Sequence, residues 1–336
     1  MRVMQVNGTD FDSLRLVEQP VPEPKAGEVL VRMTAATLNY RDLLMVKGGA
    51  SYGRTQAYVP LSCGCGVVAD IGPGVTRFRV GDRVAPTFFP DWISGSRTDQ
   101  GVARSLGGPI DGVAREYACF TQEGMVKVPD AIGDLEAATL PCAALTAWNA
   151  LFVACATKPG DFVLLQGTGG VSIAGLQLAK AAGATVIITS SSDAKLERAR
   201  ALGADYTLNY RDSPDWGARA MAITGRRGVD VVLEVGGEKT LAQSEAALMP
   251  GGSIAAIGLL GGSRIRAVQG ASTRLHAIRV GSRDQFDDMN RAIAANGIRP
   301  VVDKVFPLEA LGAAMQALQS GAIFGKVAIQ VGARSQ

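Results

Sequence analysis

The most constraining feature of this sequence is a glycine-rich turn between an apolar strand pattern and a helix pattern. Residues 162–165 predict a strand, and Gly167-Thr168-Gly169-Gly170-Val171-Ser172 leads directly into a predicted helix over 171–182. The first glycine allows a tight turn. The next two let an anionic group approach the free N–H groups at the positive end of the helix. Ser172 stands where a third glycine is usual. The segment therefore predicts a pyrophosphate site.

After this turn, strand and helix patterns alternate. Strands are predicted over 162–165, 185–189, 207–208, 229–235 and 253–257, with helices over 171–182, 194–202, 216–224 and 240–249. This alternation predicts a parallel sheet with right-handed crossovers. A glycine turn that opens such a series is much stronger evidence for dinucleotide binding than the same turn alone.

The flanking segments differ from this series. Short β-type runs over 29–33, 66–71, 83–86 and 115–120 are separated by Gly, Pro and Asp turns, whereas 91–112 is predicted to form a long loop. Near the C-terminus, a helix over 286–295 and a strand over 327–331 are predicted, and that strand could rejoin the N-terminal domain. We therefore predict an α/β protein with two domains. Residues 1–124, completed by about 263–336, form a β-rich domain, and 125–262 form a Rossmann-type dinucleotide-binding domain.

The end of the second predicted strand favours one dinucleotide over the other. An NAD site usually places Asp or Glu there, about 20 residues beyond the glycines, to accept the ribose 2′-hydroxyl. Here the strand end and its neighbourhood supply hydroxyl groups and a cation instead, from Ser190, Ser191, Ser192, Lys195 and Tyr210. These groups suit a 2′-phosphate, so NADP(H) is the predicted cofactor. The serines also suit a helix N-cap, and the two roles are compatible.

Charge and cysteine content exclude several classes of partner. The chain has 34 Lys and Arg against 31 Asp and Glu and contains no basic block, so neither nucleic acid nor an anionic membrane is a predicted partner. The N-terminal residues MRVMQVNG lack a signal-peptide pattern, and Gly or polar residues interrupt the longest apolar runs. Five cysteines without a signal peptide predict reduced thiols and a cytoplasmic location.

Short segments elsewhere in the chain match one superfamily in order. They are 22–24, 27–29, 39–42, 66–74, 80–84, 137–141, 145–147, 228–230 and 325–326. With these segments, the chain resembles the medium-chain dehydrogenase/reductase superfamily over essentially its full length, and most closely the zinc-free quinone oxidoreductases and enone reductases. The resemblance implies a split GroES-like catalytic domain, a Rossmann domain, and a cleft between them for nicotinamide and substrate. It also implies a homodimer, commonly formed through the cofactor domains.

The predicted cofactor site combines the glycine turn with strand ends and family-matched positions. Thr146, predicted to begin a helix, suits either the nicotinamide ribose or a bare N-cap. The complete predicted set is Asn39, Thr146, Gly167, Thr168, Gly169, Gly170, Val171, Ser190, Ser191, Ser192, Lys195, Tyr210, Gly236, Gly258, Leu259 and Leu260.

The resemblance also locates where zinc-dependent members bind their catalytic metal. The three ligand positions carry Asn39, Ser62 and Cys142, and Cys63 stands where an acidic residue is common. Asn and Ser are poor zinc ligands, and a catalytic site needs three protein ligands. No catalytic metal is therefore predicted. An alternative set of Cys63, Cys65 and Cys142 thiolates stays open, beside the simpler interpretation that these thiols pack the interior.

Without a metal, the chemistry requires another way to stabilise developing negative charge. A conjugated enone or quinone spreads that charge and needs less help than a simple ketone. The predicted catalytic residues are Asn39 as an amide donor, Tyr40 and Tyr52 as phenol donors, and Asp42 as an orienting group. Three of them have alternative roles: Asp42 could only cap the following helix, Tyr40 could contact cofactor phosphate, and Tyr52 could lie on a mobile loop.

Three functions are compatible with these residues. The first is an NADPH-dependent, metal-free reductase of quinones or α,β-unsaturated carbonyl compounds. The second is an alcohol dehydrogenase or ketoreductase of the same superfamily. The third is a cofactor-binding protein with little turnover. The predicted partner in the first two is a small carbonyl or quinone substrate.

Overall fold

The computed structural model describes residues 1–48, 56–258 and 273–332. Its strands are β1 (Arg2–Val6), β2 (Leu14–Glu18), β3 (Glu28–Thr37), β4 (Cys63–Ile71), β5 (Arg83–Pro86), β6 (Tyr117–Thr121), β7 (Met125–Lys127), β8 (Phe162–Gln166), β9 (Thr185–Ser190), β10 (Tyr206–Asn209), β11 (Val229–Glu234), β12 (Leu248–Ala256), β13 (Arg274–Ala277), β14 (Val302–Pro307) and β15 (Lys326–Gln330). Its α-helices are α1 (Tyr40–Lys47), α2 (Asp99–Val102), α3 (Asp134–Ala137), α4 (Leu145–Trp148), α5 (Gly170–Ala181), α6 (Asp193–Ala201), α7 (Trp216–Ile223), α8 (Glu238–Ala247), α9 (Arg283–Ala295) and α10 (Leu311–Gln319).

The chain forms two compact units. The first unit comprises Met1–Leu145 and Gly281–Gln336, and the second comprises Thr146–Val280. The predicted boundaries at 124/125 and 262/263 therefore place both junctions too early. Strand β7 pairs antiparallel with β5, so the chain beyond residue 124 still belongs to the first sheet. At the other junction, helix α9 packs against β7 and thus belongs to the first unit.

The first unit is built around the long apolar strand β3. The sheet order is β14-β15-β3-β4-β5-β7, and β6 also pairs with β3. The side chains of Val29, Val31 and Met33 are fully buried, which explains why this apolar strand lies at the centre of the sheet. Strand β15 pairs antiparallel with β3, with Ala328 opposite Thr37, which confirms that the last predicted strand rejoins the N-terminal domain.

The second unit contains the predicted parallel sheet. Its strand order is β10-β9-β8-β11-β12-β13, and every pairing among these described strands is parallel. Counted along the chain from β8, this is the order 3-2-1-4-5-6 of a doubly wound nucleotide-binding sheet. The apolar side chains of Leu164, Ile187, Val232 and Ile254 are fully buried in its core. The structure therefore confirms the Rossmann-type fold that the alternating strand and helix patterns predict.

Several elements differ from the sequence predictions. The long loop over 91–112 contains the short helix α2, and β13, β14 and α10 fall where no regular element was predicted. Strand β13 pairs parallel with β12 and completes the sheet, although its sequence RLHA is too short and polar to give a strand pattern. Helix α9 begins at Arg283, earlier than predicted, because the Ser282 hydroxyl caps it by accepting from Gln285 N at 3.2 Å.

A continuous helical segment over Asp134–Ala154 corrects two further predictions. Thr146 lies inside this segment, so it neither begins nor caps a helix. The segment is also long and apolar enough to cross a membrane, with a mean hydropathy of 1.5, although no such run was predicted. However, 72% of its most apolar window is buried within the protein, as expected of a core helix. Length and composition alone are weak evidence for a membrane span.

Candidate active site

Four neighbouring strands of the second unit end at one edge of the parallel sheet. Gln166 at the end of β8 pairs with Thr189 of β9, and Glu234 at the end of β11 pairs with Ala256 of β12. Because the carboxyl ends of parallel strands meet at one edge, the glycine turn after β8 lies beside the predicted serine segment and beside Gly236. The strand order reverses between β8 and β11, which is where open α/β sheets bind their ligands.

The glycine turn has the geometry that its sequence predicts. Gly167 adopts a left-handed conformation with φ of 70°, and its N–H donates to the Thr189 hydroxyl at 3.3 Å. Gly169 is the N-cap of α5, and a Cβ placed there would meet no atom within 4 Å. The Ser172 hydroxyl donates to Gln166 O at 2.6 Å and closes the turn onto β8. The turn thus leaves open space at Gly169 beside the N–H groups that begin the helix.

We expect Gly169→Ala to preserve stability and to weaken dinucleotide binding. The φ of Gly169 is −81°, which alanine adopts readily, and the protein leaves the Cβ position open. A methyl group there would instead occupy space that a pyrophosphate needs for its approach to the backbone. The test measures thermal unfolding and NADPH affinity, by fluorescence titration, for the variant and for the wild-type protein. An unchanged NADPH affinity in the variant would contradict the assignment of this turn.

The buried carboxylate of Glu234 is hydrogen-bonded to Gln166, the residue before the glycine turn. Glu234 is 2% exposed, and its Oε1 accepts from Gly236 N at 2.7 Å, Gly237 N at 2.8 Å and the Thr240 hydroxyl at 2.6 Å. Its Oε2 accepts from Gln166 Nε2 at 2.7 Å and from the Ser244 hydroxyl. We refer to Glu234, Gln166 and Ser244 as the carboxylate network. It joins Gln166, the residue before the glycine turn, to Ser244 within α8.

Two glycines at the same edge permit close backbone approach. A Cβ at Gly258 would lie 1.8 Å from Val235 O, and a Cβ at Gly236 would lie 2.3 Å from the Thr240 hydroxyl. A larger residue at either position would therefore clash with neighbouring atoms of the protein, whether or not a cofactor is bound. Their place at the carboxyl ends of β11 and β12 keeps them candidates for cofactor contact. Leu259 and Leu260, the next predicted contacts, lie outside the described residues.

The predicted serine segment lies at the carboxyl end of β9. Ser190 ends the strand and accepts through its backbone oxygen from Tyr210 N at 3.0 Å, which brings the Tyr210 segment beside it. Ser192 is the N-cap residue of α6, with Lys195 one turn inside that helix. Asp193 begins the helix, and its Oδ1 accepts from Asn209 Nδ2 at 2.9 Å. The structure thus brings the hydroxyl groups and Tyr210 together, as the sequence predicts.

The first unit contains a polar cluster around Asn39. The Asn39 amide donates through Nδ2 to the Ser62 hydroxyl at 3.2 Å and to Cys63 Sγ at 3.0 Å. Its Oδ1 accepts from Lys326 Nζ at 2.5 Å, and the same ammonium donates to Leu38 O. The Lys326 side chain is 5% exposed, so its charge lies in the interior. The name Asn39 cluster is used below for Asn39, Ser62, Cys63 and Lys326.

Asp42 has a structural role beside this cluster. Its Oδ2 accepts from Asn39 N at 2.7 Å, which caps α1 from the third helical residue. Burial raises the pKa of Asp42, and the Arg41 guanidinium, the Asn39 N–H and the Lys326 ammonium counteract this rise. The capping alternative for Asp42 therefore has direct geometric support. Its predicted orienting role stays a prediction.

The Asn39 cluster does not fit a catalytic zinc. Its carboxamide and hydroxyl are poor zinc ligands, and Asn39 Oδ1 already accepts from an ammonium group, which would repel a second cation. Cys65 does not complete a thiolate set, because burial raises its pKa and its thiol donates to Asp134 Oδ1 at 3.8 Å. Within 1–48, 56–258 and 273–332, no group of three or more His, Cys, Asp or Glu residues is arranged for a metal ion.

The other predicted site residues have varied positions. Tyr40 begins α1 and is 49% exposed, whereas Thr146 is buried within the second unit. Tyr52 lies outside the described residues.

The sequence analysis did not assign roles to Lys326 or Glu234. The segment Gly325-Lys326 was noted only as a family match, and a lysine at the start of a strand gives no signal of burial, because lysine is mostly exposed in proteins.

The chain matches two family models and several known proteins. Residues 25–130 match the alcohol dehydrogenase GroES-like domain, and 170–295 match the zinc-binding dehydrogenase domain. The zinc-type alcohol dehydrogenase-like protein C1773.06c of Schizosaccharomyces pombe is 43% identical over 332 residues, which cover 96% of each chain.

Solved structures extend this similarity to the whole fold. An NAD-dependent alcohol dehydrogenase has a TM-score of 0.89 and 33% identity, over 99% of this chain and 100% of that chain. The mycobacterial Rv1454c complexed with NADPH has a TM-score of 0.82 and 27% identity, and a mycobacterial quinone oxidoreductase has 0.81 and 28%. Both comparisons cover 98% of this chain and 100% of the other. Together with the doubly wound sheet and its glycine turn, these matches show that the chain belongs to the medium-chain dehydrogenase/reductase family, as an oxidoreductase with a pyridine-nucleotide-binding fold.

Proposed function

We propose that this protein is an NADP(H)-dependent oxidoreductase that reduces quinones or α,β-unsaturated carbonyl compounds without a catalytic metal. The observation that carries the proposal is the Lys326 ammonium held by Asn39 Oδ1, at a position where zinc-dependent relatives of this family place a ligand. On this proposal, no metal stands at that position to polarise a simple carbonyl. A conjugated substrate needs less stabilisation, because its negative charge spreads over carbon and oxygen.

The predicted site residues have distinct tasks in this proposal. The N–H groups at the start of α5 hold the pyrophosphate, with Gly169 providing the space for its approach. Ser190, Ser191 and Lys195 hold the 2′-phosphate. When bound, the nicotinamide supplies the hydride. Asn39 turns one of its amide N–H groups from Ser62 or Cys63 to the substrate oxygen and supplies a hydrogen bond, and a phenol from Tyr40 or Tyr52 supplies the proton that the reduced substrate requires.

A substrate panel tests the proposed function directly. NADPH oxidation would be measured with quinones, enones and saturated ketones, each with and without a chelator, and zinc would be measured by elemental analysis of the purified protein. We expect turnover with conjugated acceptors, no response to chelation and no stoichiometric zinc. About one zinc per chain, lost together with activity on chelation, would overturn the metal-free proposal.

The second candidate function is that of an alcohol dehydrogenase or ketoreductase. The 43% identity to a protein named zinc-type alcohol dehydrogenase-like favours it. The same panel separates the two candidates. Oxidation of simple alcohols, or reduction of saturated ketones at rates similar to those of enones, would favour this second function.

We expect Lys195→Ala to raise the NADPH KM about two- to fivefold, with a smaller effect on the NADH KM, because solvent-screened ion pairs contribute up to about 1 kcal/mol. The matched control is Arg200→Ala, which removes a positive charge near the other end of the same helix, where Arg200 pairs with Glu197. Steady-state kinetics with both cofactors provide the measurement. Equal losses for NADPH and NADH would reject a specific role of Lys195 at the 2′-phosphate.

We further propose that the protein acts as a homodimer, as the family resemblance implies. Analytical ultracentrifugation across a range of concentrations tests this, and a purely monomeric species at micromolar concentration would contradict it.

A further inference from the structure

Lys326 is a buried cation that donates to two neighbouring acceptors. Its side chain is 5% exposed, and its ammonium donates to Leu38 O and, at 2.5 Å, to Asn39 Oδ1. The sheet brings these groups together, because Ala328 of β15 pairs with Thr37, the last residue of β3. Two oxygen atoms that only accept would leave each other without a partner here. The ammonium therefore satisfies both of them at once.

The same ammonium fixes the direction in which the Asn39 amide faces. An ammonium group has only donors, so the amide oxygen faces it and the amide nitrogen faces away. Nδ2 accordingly donates to the Ser62 hydroxyl at 3.2 Å and to Cys63 Sγ at 3.0 Å. A hydroxyl and a thiol can also donate, so these two groups accommodate either direction of the amide. The cap of α1 does not fix the side chain either, because Asp42 N donates to the backbone oxygen of Asn39.

The direction of this amide matters for the chemistry. In the proposed function, one N–H of Asn39 turns to the substrate oxygen, which becomes negative as the hydride arrives. A reversed amide would present Oδ1 to that oxygen and repel it. Without the ammonium, the reversed amide is the better arrangement, because Nδ2 would then face the side of Leu38 O, which has lost its donor.

We propose that Lys326 is a positioning residue, which keeps the Asn39 amide turned so that its N–H groups face the reacting oxygen of the substrate. This inference rests on the proposed function, in which Asn39 donates to that oxygen. Lys326 acts through Asn39 and touches neither substrate nor cofactor in this role. A cofactor-binding lysine and a merely structural lysine lead to different results in the experiment below.

A double-mutant cycle tests whether Lys326 acts through Asn39. We expect Lys326→Met to lower kcat about fivefold to tenfold on the best substrate of the panel, as the loss of one orienting hydrogen bond implies. In the Asn39→Ala background, the same substitution should change kcat by less than about twofold, because no amide remains to be turned. NADPH affinity, measured by fluorescence titration, should stay at the wild-type value. Additive losses of kcat, or a loss of NADPH affinity as large as the loss of kcat, would overturn the proposal.

The matched control is Lys304→Met, the same substitution at an exposed position of β14 opposite Val327 of β15. This control should leave both kcat and NADPH affinity unchanged. Thermal unfolding of Lys326→Met should remain close to that of the wild-type protein, because an apolar side chain of similar size often replaces a buried charge without loss. A merely structural lysine would instead lower the melting temperature and give additive losses of kcat.

Neutron diffraction from the deuterium-exchanged wild-type protein is a second measurement that needs neither a variant nor turnover. It locates the hydrogen positions that X-ray diffraction at ordinary resolution does not show. We expect the deuterons on Asn39 Nδ2 to point towards Ser62 and Cys63. Deuterons that point towards Lys326 would overturn the proposal even if every variant folds poorly.

The proposed function and the role of Lys326 can fail separately. The cycle is measured on whichever substrate reacts fastest, so turnover of saturated ketones alone would contradict the proposed substrate class and leave the cycle decisive. Turnover of enones with an additive cycle would contradict the role of Lys326 alone. An absence of turnover with every substrate would contradict both.

Discussion

Glu234→Gln is expected to lower the free energy of unfolding by about 3 kcal/mol and to weaken NADPH binding. Both carboxylate oxygens accept hydrogen bonds from buried groups, three at Oε1 and two at Oε2. A glutamine amide can accept at only one end, so its NH2 group would face donors at the other. The binding loss follows because the carboxylate network fixes Gln166, the residue before the glycine turn.

Chemical denaturation and fluorescence titration with NADPH measure the two effects of Glu234→Gln. The control is Glu238→Gln, the same substitution at an exposed position in the first turn of α8. We expect that control to change the free energy of unfolding by less than about 0.5 kcal/mol. A Glu234→Gln variant as stable as the control would show that the network contributes little.

Asn39→Ala is expected to lower turnover about tenfold to a hundredfold on the best acceptor of the panel, which is at or below the low end for a lost oxyanion donor. The amide connects Ser62, Cys63 and Lys326, so its removal takes away a donor and also leaves the Lys326 ammonium with fewer partners. Because such a group acts on developing charge, kcat should fall more than the substrate KM rises. Thermal unfolding should show that the protein remains folded.

Two further variants distinguish the amide donor from the helix cap and from cofactor binding. Asn39→Asp keeps an acceptor for Lys326 and the backbone cap of α1, yet it should lose turnover as Asn39→Ala does because it cannot donate. Tyr40→Phe should change the NADPH KM more than kcat. If Asn39→Ala and Tyr40→Phe both retain wild-type kinetics, Tyr52 or solvent becomes the leading proton source.

The cofactor edge could be predicted because its determinants are local in sequence. A strand, a glycine turn and a helix follow one another directly, and the parallel order of β8 to β12 then brings separate strand ends together. The Asn39 cluster could be predicted only in part, since Lys326 lies 287 residues from Asn39 along the chain and reaches it through the pairing of β15 with β3. No periodicity reveals such a contact.

The missed elements have physical causes of the same kind. Strand β13 is short and polar and becomes a strand through its pairing with β12. Thr146 was expected to begin a helix, yet the chain is already helical at Pro141. Because proline is disfavoured in the interior of a helix, Pro141 gives no sign in the sequence that the helical segment begins as early as Asp134.

The pairing of β15 with β3 sets the order in which the protein can be completed during synthesis. The sheet of Thr146–Val280 is contiguous in sequence, so it can close as soon as its own residues have left the ribosome. The first sheet cannot close by then, because Ala35, Ala36 and Thr37 of β3 pair with residues 328–330. Until those residues emerge, the second half of β3 presents an unpaired, apolar edge, which is a template for association between chains. A nascent chain that stalls before Lys326 can therefore have a complete parallel sheet in its second unit, while the sheet of its first unit still lacks β15 and is prone to aggregation.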